Sequence, residues 1–484
     1  MIPAKQLFSL VSCSLIISSV SITGYTASAY GISFTNTLSI PGESTDLYPS
    51  SGNSANVNRL GFFSEIYYDR FNNVYYGLSD RGPGGGTISY NTRVQKFSLD
   101  VDPKTGAISN FKVLKTITFT KDGQNFNGLN PRLLNGDARN LGLSFDPEGF
   151  AVGPNGHFYV SDEYGPSIYE FKPDGSFLRA FTIPENLIPK EANGNVNYVD
   201  GRPTITTGRQ DNRGFEGLTL SPDGTKLYGM LQGPLVNEGS PDGRRSGNLR
   251  IVEFETKTGK STAQYIYQLE SLAEINERIP GEDNDFGANS QGRNIGISSI
   301  TALNEQEFLV LERDNRGFGV DAINGLVDAP TETPPPVGSK RVYKINISGA
   351  TDVSGISLAD TNTLPAGVNP VSKSLFLDIA AVLSPENPGD WTKIGEKMEG
   401  LVIGPRLKDG SYALLIGTDN DYSVTQDDSS TQFDICTNSD GSSYSKRVID
   451  SGCPDGQRLI PGFLYSFKVS PTELGKFVPL KKSH

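Results

Sequence analysis

Acidic residues and arginines recur beside glycine at five places along this chain. They are Ser79-Asp80-Arg81-Gly82, Asp146-Pro147-Glu148-Gly149, Arg213-Gly214-Phe215-Glu216-Gly217, Glu312-Arg313-Asp314-Asn315-Arg316-Gly317 and Glu399-Gly400. Asp162-Glu163 and Asp419-Asn420-Asp421 add further carboxylates. Clustered Asp and Glu suit a hard cation such as Ca²⁺, which takes six to eight oxygen ligands and tolerates irregular geometry. Arginine adds a planar fork that grips phosphate or carboxylate through two parallel bonds. Histidine is nearly absent: only His157, in a turn, and His484, at the terminus, occur. That leaves a Ser-His-Asp triad or a phosphohistidine route without a base or nucleophile, and a zinc site without ligands. No Gly-x-Ser-x-Gly elbow occurs either.

Each acidic stretch opens or ends an apolar hairpin. In the second, Phe150 to Val152 turns at Pro154-Asn155-Gly156 and returns through Phe158 to Val160, with Asn-Gly tolerating the positive φ of a tight turn. Centring that turn between Asn155 and Gly156 predicts Glu148 opposite Glu163, beside Asp162. Similar hairpins start at Gly61, Gly214, Ile297 and Lys397. A second, more amphipathic pair follows each, beginning near Arg93, Ser167, Leu249, Lys340 and Phe463. An inner apolar pair and an outer amphipathic pair, repeated, predict an all-β fold: a β-propeller of four-stranded antiparallel blades.

Five blades are counted, and the long loops 121–142, 184–212, 270–296 and 329–337 leave room for a sixth. Ile32 to Ile40 is expected to close the ring as an outermost strand. Short helices are expected at Leu272–Ile279 and Leu375–Leu383. In a propeller the open ends of all inner hairpins meet at one mouth. That geometry predicts a single cluster of Asp80, Arg81, Glu148, Asp162, Glu163, Arg213, Glu216, Glu312, Arg313, Asp314, Arg316, Glu399, Asp419 and Asp421.

The ordered motifs Ser-Asp-Arg-Gly, Asp-Pro-Glu-Gly, Arg-Gly-Phe-Glu-Gly, Glu-Arg-Asp-Asn and Glu-Gly-Leu resemble those of the secreted phytase-like family with esterase-like activity. The resemblance runs from about Gly61 to Val469. It implies a propeller hydrolase of phosphate esters, by analogy with calcium-dependent propeller phytases; the Arg-His-Gly signature of histidine phosphatases is missing. On that reading Asp80, Glu148, Asp162, Glu163, Glu216, Glu312, Glu399 and Asp419 would ligate Ca²⁺. Glu148, Glu216, Arg81, Arg213 and Arg316 would carry the chemistry on a small anionic substrate.

Two other readings use the same mouth: a non-catalytic calcium-binding propeller that recognises an anion, and a lactonase- or carboxylesterase-like hydrolase. Blander roles are open for single motifs. Glu-Gly could be a turn with glycine at positive φ, Arg213–Glu216 and Arg313–Asp314 could be structural ion pairs, and Asp419 and Asp421 could form an Asx turn.

Composition fits this picture. The chain has 484 residues, 54 Gly, 30 Pro, 25 Phe and 20 Tyr but three Met, which favours short strands and turns. A net charge of −12 without a basic run argues against a nucleic-acid partner. Residues 1–29 carry one cation, Lys5, an apolar centre and Ala27-Ser28-Ala29, the pattern of a cleaved signal peptide. The rival is a lipobox ending at Cys13, with the apolar run continuing past it. A secreted or periplasmic protein follows, residues 30–484 forming one domain with no later membrane span. Cys436 and Cys453 are then expected to clip an insertion at about 424–460. Nothing in the sequence speaks to oligomeric state.

Overall fold

The computed structural model describes residues 31–49, 55–426 and 431–481. The expected signal peptide, Cys13 and His484 lie outside them. Five four-stranded antiparallel sheets follow one another along the chain. The first comprises Glu65–Asp69, Val74–Leu78, Arg93–Val101 and Ile108–Thr118. The second comprises Pro147–Val152, Phe158–Asp162, Ser167–Phe171 and Phe177–Ala180, and the third Phe215–Leu220, Lys226–Leu231, Asn248–Glu255 and Lys260–Gln268. The fourth comprises Gly296–Ala302, Glu307–Arg313, Lys340–Asn346 and Ser372–Asp378. The fifth comprises Lys397–Arg406, Tyr412–Asp419 and Gly462–Val469, with Ile32–Ile40 as its outermost strand, running antiparallel from Ile32 against Val469 to Ile40 against Gly462.

The first two strands of each sheet are mostly apolar and buried, as in Pro147–Val152 and Phe158–Asp162, while Phe177–Ala180 alternates half-buried with exposed residues. That is the pattern expected when one hairpin faces other sheets and the other faces solvent. The first strands pack in cyclic succession: first on second, second on third, third on fourth, fourth on fifth, and fifth on first. The sheets remain separate and do not merge into a closed barrel. Glu65 ties across this set: its carboxyl accepts from Ser299 Oγ of the fourth sheet at 2.7 Å and from Leu401 N of the fifth at 3.2 Å.

The long loops hold only two-stranded pieces, Thr120–Lys121 with Gln124–Asn125 and Lys190–Glu191 with Ile205–Thr207, so they hide no sixth sheet of this kind among the described residues. A further small sheet, from Val424–Gln426, Gln432–Thr437, Tyr444–Val448 and Arg458–Leu459, is inserted between two strands of the fifth sheet and carries the Cys436–Cys453 disulfide. A buried Arg59–Asp434 pair at 2.6 Å anchors it to the body.

Two expectations need correction. Leu375 lies in the strand Ser372–Asp378, and the helix spans only Ile379–Leu383, because the Asp378 carboxylate caps it by accepting from Ala381 N. The helix near 272 ends at Asn276. The Glu-Gly glycines are also not turn glycines, since Gly149, Gly217 and Gly400 do not have positive φ. Crowding explains them. A Cβ on Gly149 would lie 2.6 Å from Leu218 Cβ, one on Gly217 2.9 Å from Ile300 N, and one on Gly400 2.6 Å from Ile66 Cγ1. Each glycine lets a first strand approach the next.

Gly217→Ala is therefore expected to destabilise the protein by about 1–3 kcal/mol, the usual cost of overpacking. Gly325→Ala, in the helix Val320–Asp328 with open space around it, should be neutral or stabilising by up to about 1 kcal/mol. Calorimetric melting of both variants checks this; equal Tm values would refute the crowding argument.

Candidate functional site

A cavity of about 510 Å³ opens where the first strands begin and the second strands end. β-Bulges set its lining. Phe215 pairs with Leu231 and Gly217 with Met230, leaving Glu216 as the extra residue. Met398 pairs with Thr418 and Gly400 with Gly417, leaving Glu399 extra. In the second sheet Pro147 pairs with Asp162 and Phe150 with Val160, so the shift falls at Glu148-Gly149. A bulged residue leaves the ladder and its side chain is re-aimed. Here the re-aimed side chains are Glu148, Glu216 and Glu399, all lining the cavity. Glu148 is thus not directly opposite Glu163, as simple hairpin counting predicts, although both reach the same space.

Of the residues expected at one mouth, Asp80, Arg81, Glu148, Glu163, Arg213, Glu216, Arg313, Arg316, Glu399, Asp419 and Asp421 line the cavity. Asp162, Glu312 and Asp314 do not. Asp162 is buried and accepts from the backbone N–H groups of Asp146, Tyr164 and Gly165, which fixes the hairpin end. Glu312 accepts from Tyr267 Oη at 2.6 Å, Glu270 N at 2.8 Å and Lys373 Nζ at 2.7 Å, between the third and fourth sheets. Successive strand residues point to opposite faces. When Glu163 and Arg313 face the cavity, Asp162 and Glu312 must face away.

The expected ion pairs are also redistributed. Arg313 pairs with Glu399, and Asp314 pairs with Lys340 at 3.0 Å. No Arg213–Glu216 pair forms among the described residues. Lys397 neutralises Asp421 at 2.6 Å, and Asp419 accepts from Asp421 N in an Asx turn. Arg81 pairs with Asp146 at 2.7 Å and also donates to Asn212 Oδ1. Arg316 donates to Pro336 O and Asn284 O at 3.1 and 2.8 Å and stacks on Phe286, so it holds two loops at the rim.

Several carboxylates without an ion pair among the described residues stand close together. Glu148, Glu163 and Glu216 each place a carboxylate oxygen within 4.8 Å of the others, and a second such group joins Glu148 to Asp80 and Asp146. Glu163 and Glu216 are each 2 % exposed, and Glu163 Oε1 and Glu216 Oε2 are buried without a hydrogen-bond partner. Gln232 Nε2 holds the other Glu216 oxygen at 2.7 Å. Burial first, then neighbouring carboxylates, raises Glu148 and Glu216 well above the usual carboxylate range. The same causes push Glu163 up to about 8 and Asp80 up to about 7. Desolvated like charges this close demand retained protons or a shared cation. The donor set is all carboxylate oxygen, which suits a hard divalent ion.

Four contributors escape the sequence argument. Asp146 stands in a motif already singled out, and Gln232 at a hairpin end, so position alone could have flagged both. Lys397 precedes Glu399 by two residues. Arg293 sits in the 270–296 loop and carries no sequence signal at all.

An all-β scaffold of four-stranded sheets thus holds a buried carboxylate cluster beside arginines at one cavity. The chain belongs to the phytase-like family, described as having the esterase-like activity of phytase, whose model matches residues 58–422. That membership suggests a hydrolase. An uncharacterized secreted protein of Arthroderma benhamiae is 29 % identical over 424 residues, spanning 75 % of this chain and 80 % of that one. Among solved structures, a luciferin-regenerating enzyme aligns at 13 % identity and a TM-score of 0.30, over 87 % of this chain and 97 % of that one. Hydrazine synthase of Kuenenia stuttgartiensis aligns at 12 % identity and a TM-score of 0.28, over 73 % and 76 %. Likenesses this low carry no argument. No helix among the described residues is long and apolar enough to cross a membrane.

The raised carboxyls give a signed expectation for the chelated protein. A carboxyl whose folded pKa is raised binds its proton more tightly folded than unfolded. Its contribution is therefore complete below its ordinary range, near pH 4, and is lost as pH rises through about 7 for Asp80 and about 8 for Glu163. In EDTA, the Tm advantage of Glu163→Gln over the wild type should grow between pH 5 and about 8. A pH-independent difference would contradict the burial argument.

Proposed function

We propose that this protein is an exported hydrolase of phosphate esters that uses Ca²⁺ bound at the cavity, and that the five sheets are the blades of a β-propeller. The cyclic packing of the first strands supports the propeller reading, as does Glu65 reaching from the first sheet to the fourth and fifth. Export after cleavage of residues 1–29 is supported by the disulfide and by the relative described as secreted.

One observation carries the site reading: three carboxylates within 4.8 Å, two of them with a buried oxygen that no described residue satisfies. Glu148 and Glu163, beside Glu216, would hold the ion, with Asp80 as a further ligand through the group that shares Glu148. Bound there, it would neutralise the cluster and polarise the phosphoryl group. Glu216, with one oxygen fixed by Gln232, keeps the other free to take a proton from an attacking water. Arg213 presents a guanidinium to the phosphoryl oxygens, and Arg81 keeps Asp146 neutralised behind the cluster.

Hydrolysis of 4-nitrophenyl phosphate, abolished by EDTA and restored by Ca²⁺, is the expected result, with Glu216→Gln lowering kcat by about 100-fold or more. A wild type that binds Ca²⁺ and phosphate but turns over no ester would support the binding-protein reading instead. Turnover confined to lactones or carboxylic esters would support the lactonase-like one.

A further inference from the structure

Two arginines at the cavity, Arg213 and Arg293, form no ion pair among the described residues. Arg213 is 7 % exposed, its Nη2 donates to the Arg293 carbonyl at 2.5 Å, and its Nη1 is buried without a partner. Glycines make room for it: a Cβ on Gly233 would lie 2.8 Å from Arg213 Cδ, and one on Gly296 3.1 Å from Nη1. Beside it stands the exposed side chain of Arg293, also lining the cavity. Neither guanidinium is in an ion pair with a carboxylate among the described residues, whereas Arg81, Arg313 and Lys397 each have one.

The support beneath Arg293 is fixed. Gln291 Nε2 donates to Glu270 O, and Gln291 Oε1 accepts from Leu272 N, both at 2.8 Å. Gly292 packs so tightly on Pro234 that a Cβ there would lie 2.7 Å from Pro234 Cδ. The 270–296 loop therefore holds a second arginine against the first. Two guanidiniums held together repel, and Arg293, after burial, is the next cause that draws Arg213 down to about 10.

We infer that Arg213 and Arg293 form a phosphoryl-binding subsite beside the carboxylate group, with Arg293, supplied by the 270–296 loop, as its specificity-determining residue. The subsite rests on the phosphoesterase reading for its role in turnover but not for its existence. A shared tetrahedral oxyanion converts the repulsion into two charge-assisted contacts and satisfies Arg213 Nη1. A planar fork matches phosphate geometry where lysine would offer only a point charge.

The test is titration calorimetry of inorganic phosphate into the Ca²⁺-loaded full chain, for wild type, Arg293→Ala and Arg293→Lys. The alanine variant keeps the backbone carbonyl that Arg213 uses and removes only an exposed side chain, so its fold and its Ca²⁺ affinity should be unchanged. Phosphate affinity should fall at least about 10-fold in Arg293→Ala, the loss expected of one charged contact, with partial recovery in Arg293→Lys. Undiminished phosphate binding in Arg293→Ala, or none in the wild type, overturns the subsite. Tighter binding of acetate than of phosphate overturns the phosphoryl assignment. If the wild type hydrolyses phosphate esters while Arg293→Ala leaves KM unaltered, the subsite fails and the hydrolase reading survives. If Arg293→Ala loses phosphate but the wild type cleaves no ester, the reverse holds.

Discussion

Crowding between the first strands of successive sheets governs the rest of this molecule. Neighbouring first strands approach so closely that no side chain fits at Gly149, Gly217 or Gly400. The residue just before each of these glycines falls in a β-bulge, and its side chain enters the cavity. One dipeptide thus serves packing through its glycine and chemistry through its glutamate. The two exceptions are informative. The fourth sheet has Ser298-Ser299 at this place, and Ser298 Oγ accepts from Arg313 Nε at 2.9 Å. In the first sheet Glu65 supplies a carboxyl that bonds across to other sheets. Acids accordingly reach the cavity unevenly, and those without an ion-pair partner among the described residues include Asp80 and Asp419 as well as Glu148, Glu163 and Glu216.

Burial turns that unevenness into chemistry. Asp146, Glu399 and Asp421 have Arg81, Arg313 and Lys397 within ion-pair distance, whereas Asp419 on the fifth sheet has none among the described residues. Glu148, Glu163 and Glu216 form no ion pair among the described residues, and Gln232 holds one oxygen of Glu216. Beside them, Arg213 and Arg293 form no ion pair among the described residues. A cavity that holds unpaired carboxylates and unpaired guanidiniums together fits a ligand that is itself an anion held by a cation.

The opposite end of the first strands is closed. A small cavity of about 90 Å³ there is lined by Tyr67, Phe150, Leu218, Ile300 and Leu401, one from each sheet, and is bounded by Phe477 to Leu480. The tail is fixed by Val478 N donating to Leu303 O at 2.7 Å and Lys481 N to Pro222 O at 2.9 Å. With Ile32–Ile40 completing the fifth sheet, both ends of the described chain help to hold the set of sheets together.

The sequence by itself determined the sheets: apolar hairpins followed by amphipathic ones, strong turn signals such as Asn155-Gly156, and the closing strand Ile32–Ile40 were all readable, because strand periodicity and turn chemistry are local. It also brought most of the acids to one place, since motifs at equivalent hairpin ends must converge if the hairpins do. Tertiary structure alone decided which of two adjacent charged residues faces the cavity. Glu163 does and Asp162 does not, and Arg313 does and Glu312 does not, because successive strand residues face opposite ways and the packing of the sheets decides which of the two faces in. Partner choice was equally hidden: Arg313 passes over neighbouring Asp314 for Glu399, a residue on the next sheet. Arg293 could not be found from the chain, because its position depends on a loop held by Glu270, Leu272 and Pro234 rather than on any repeat.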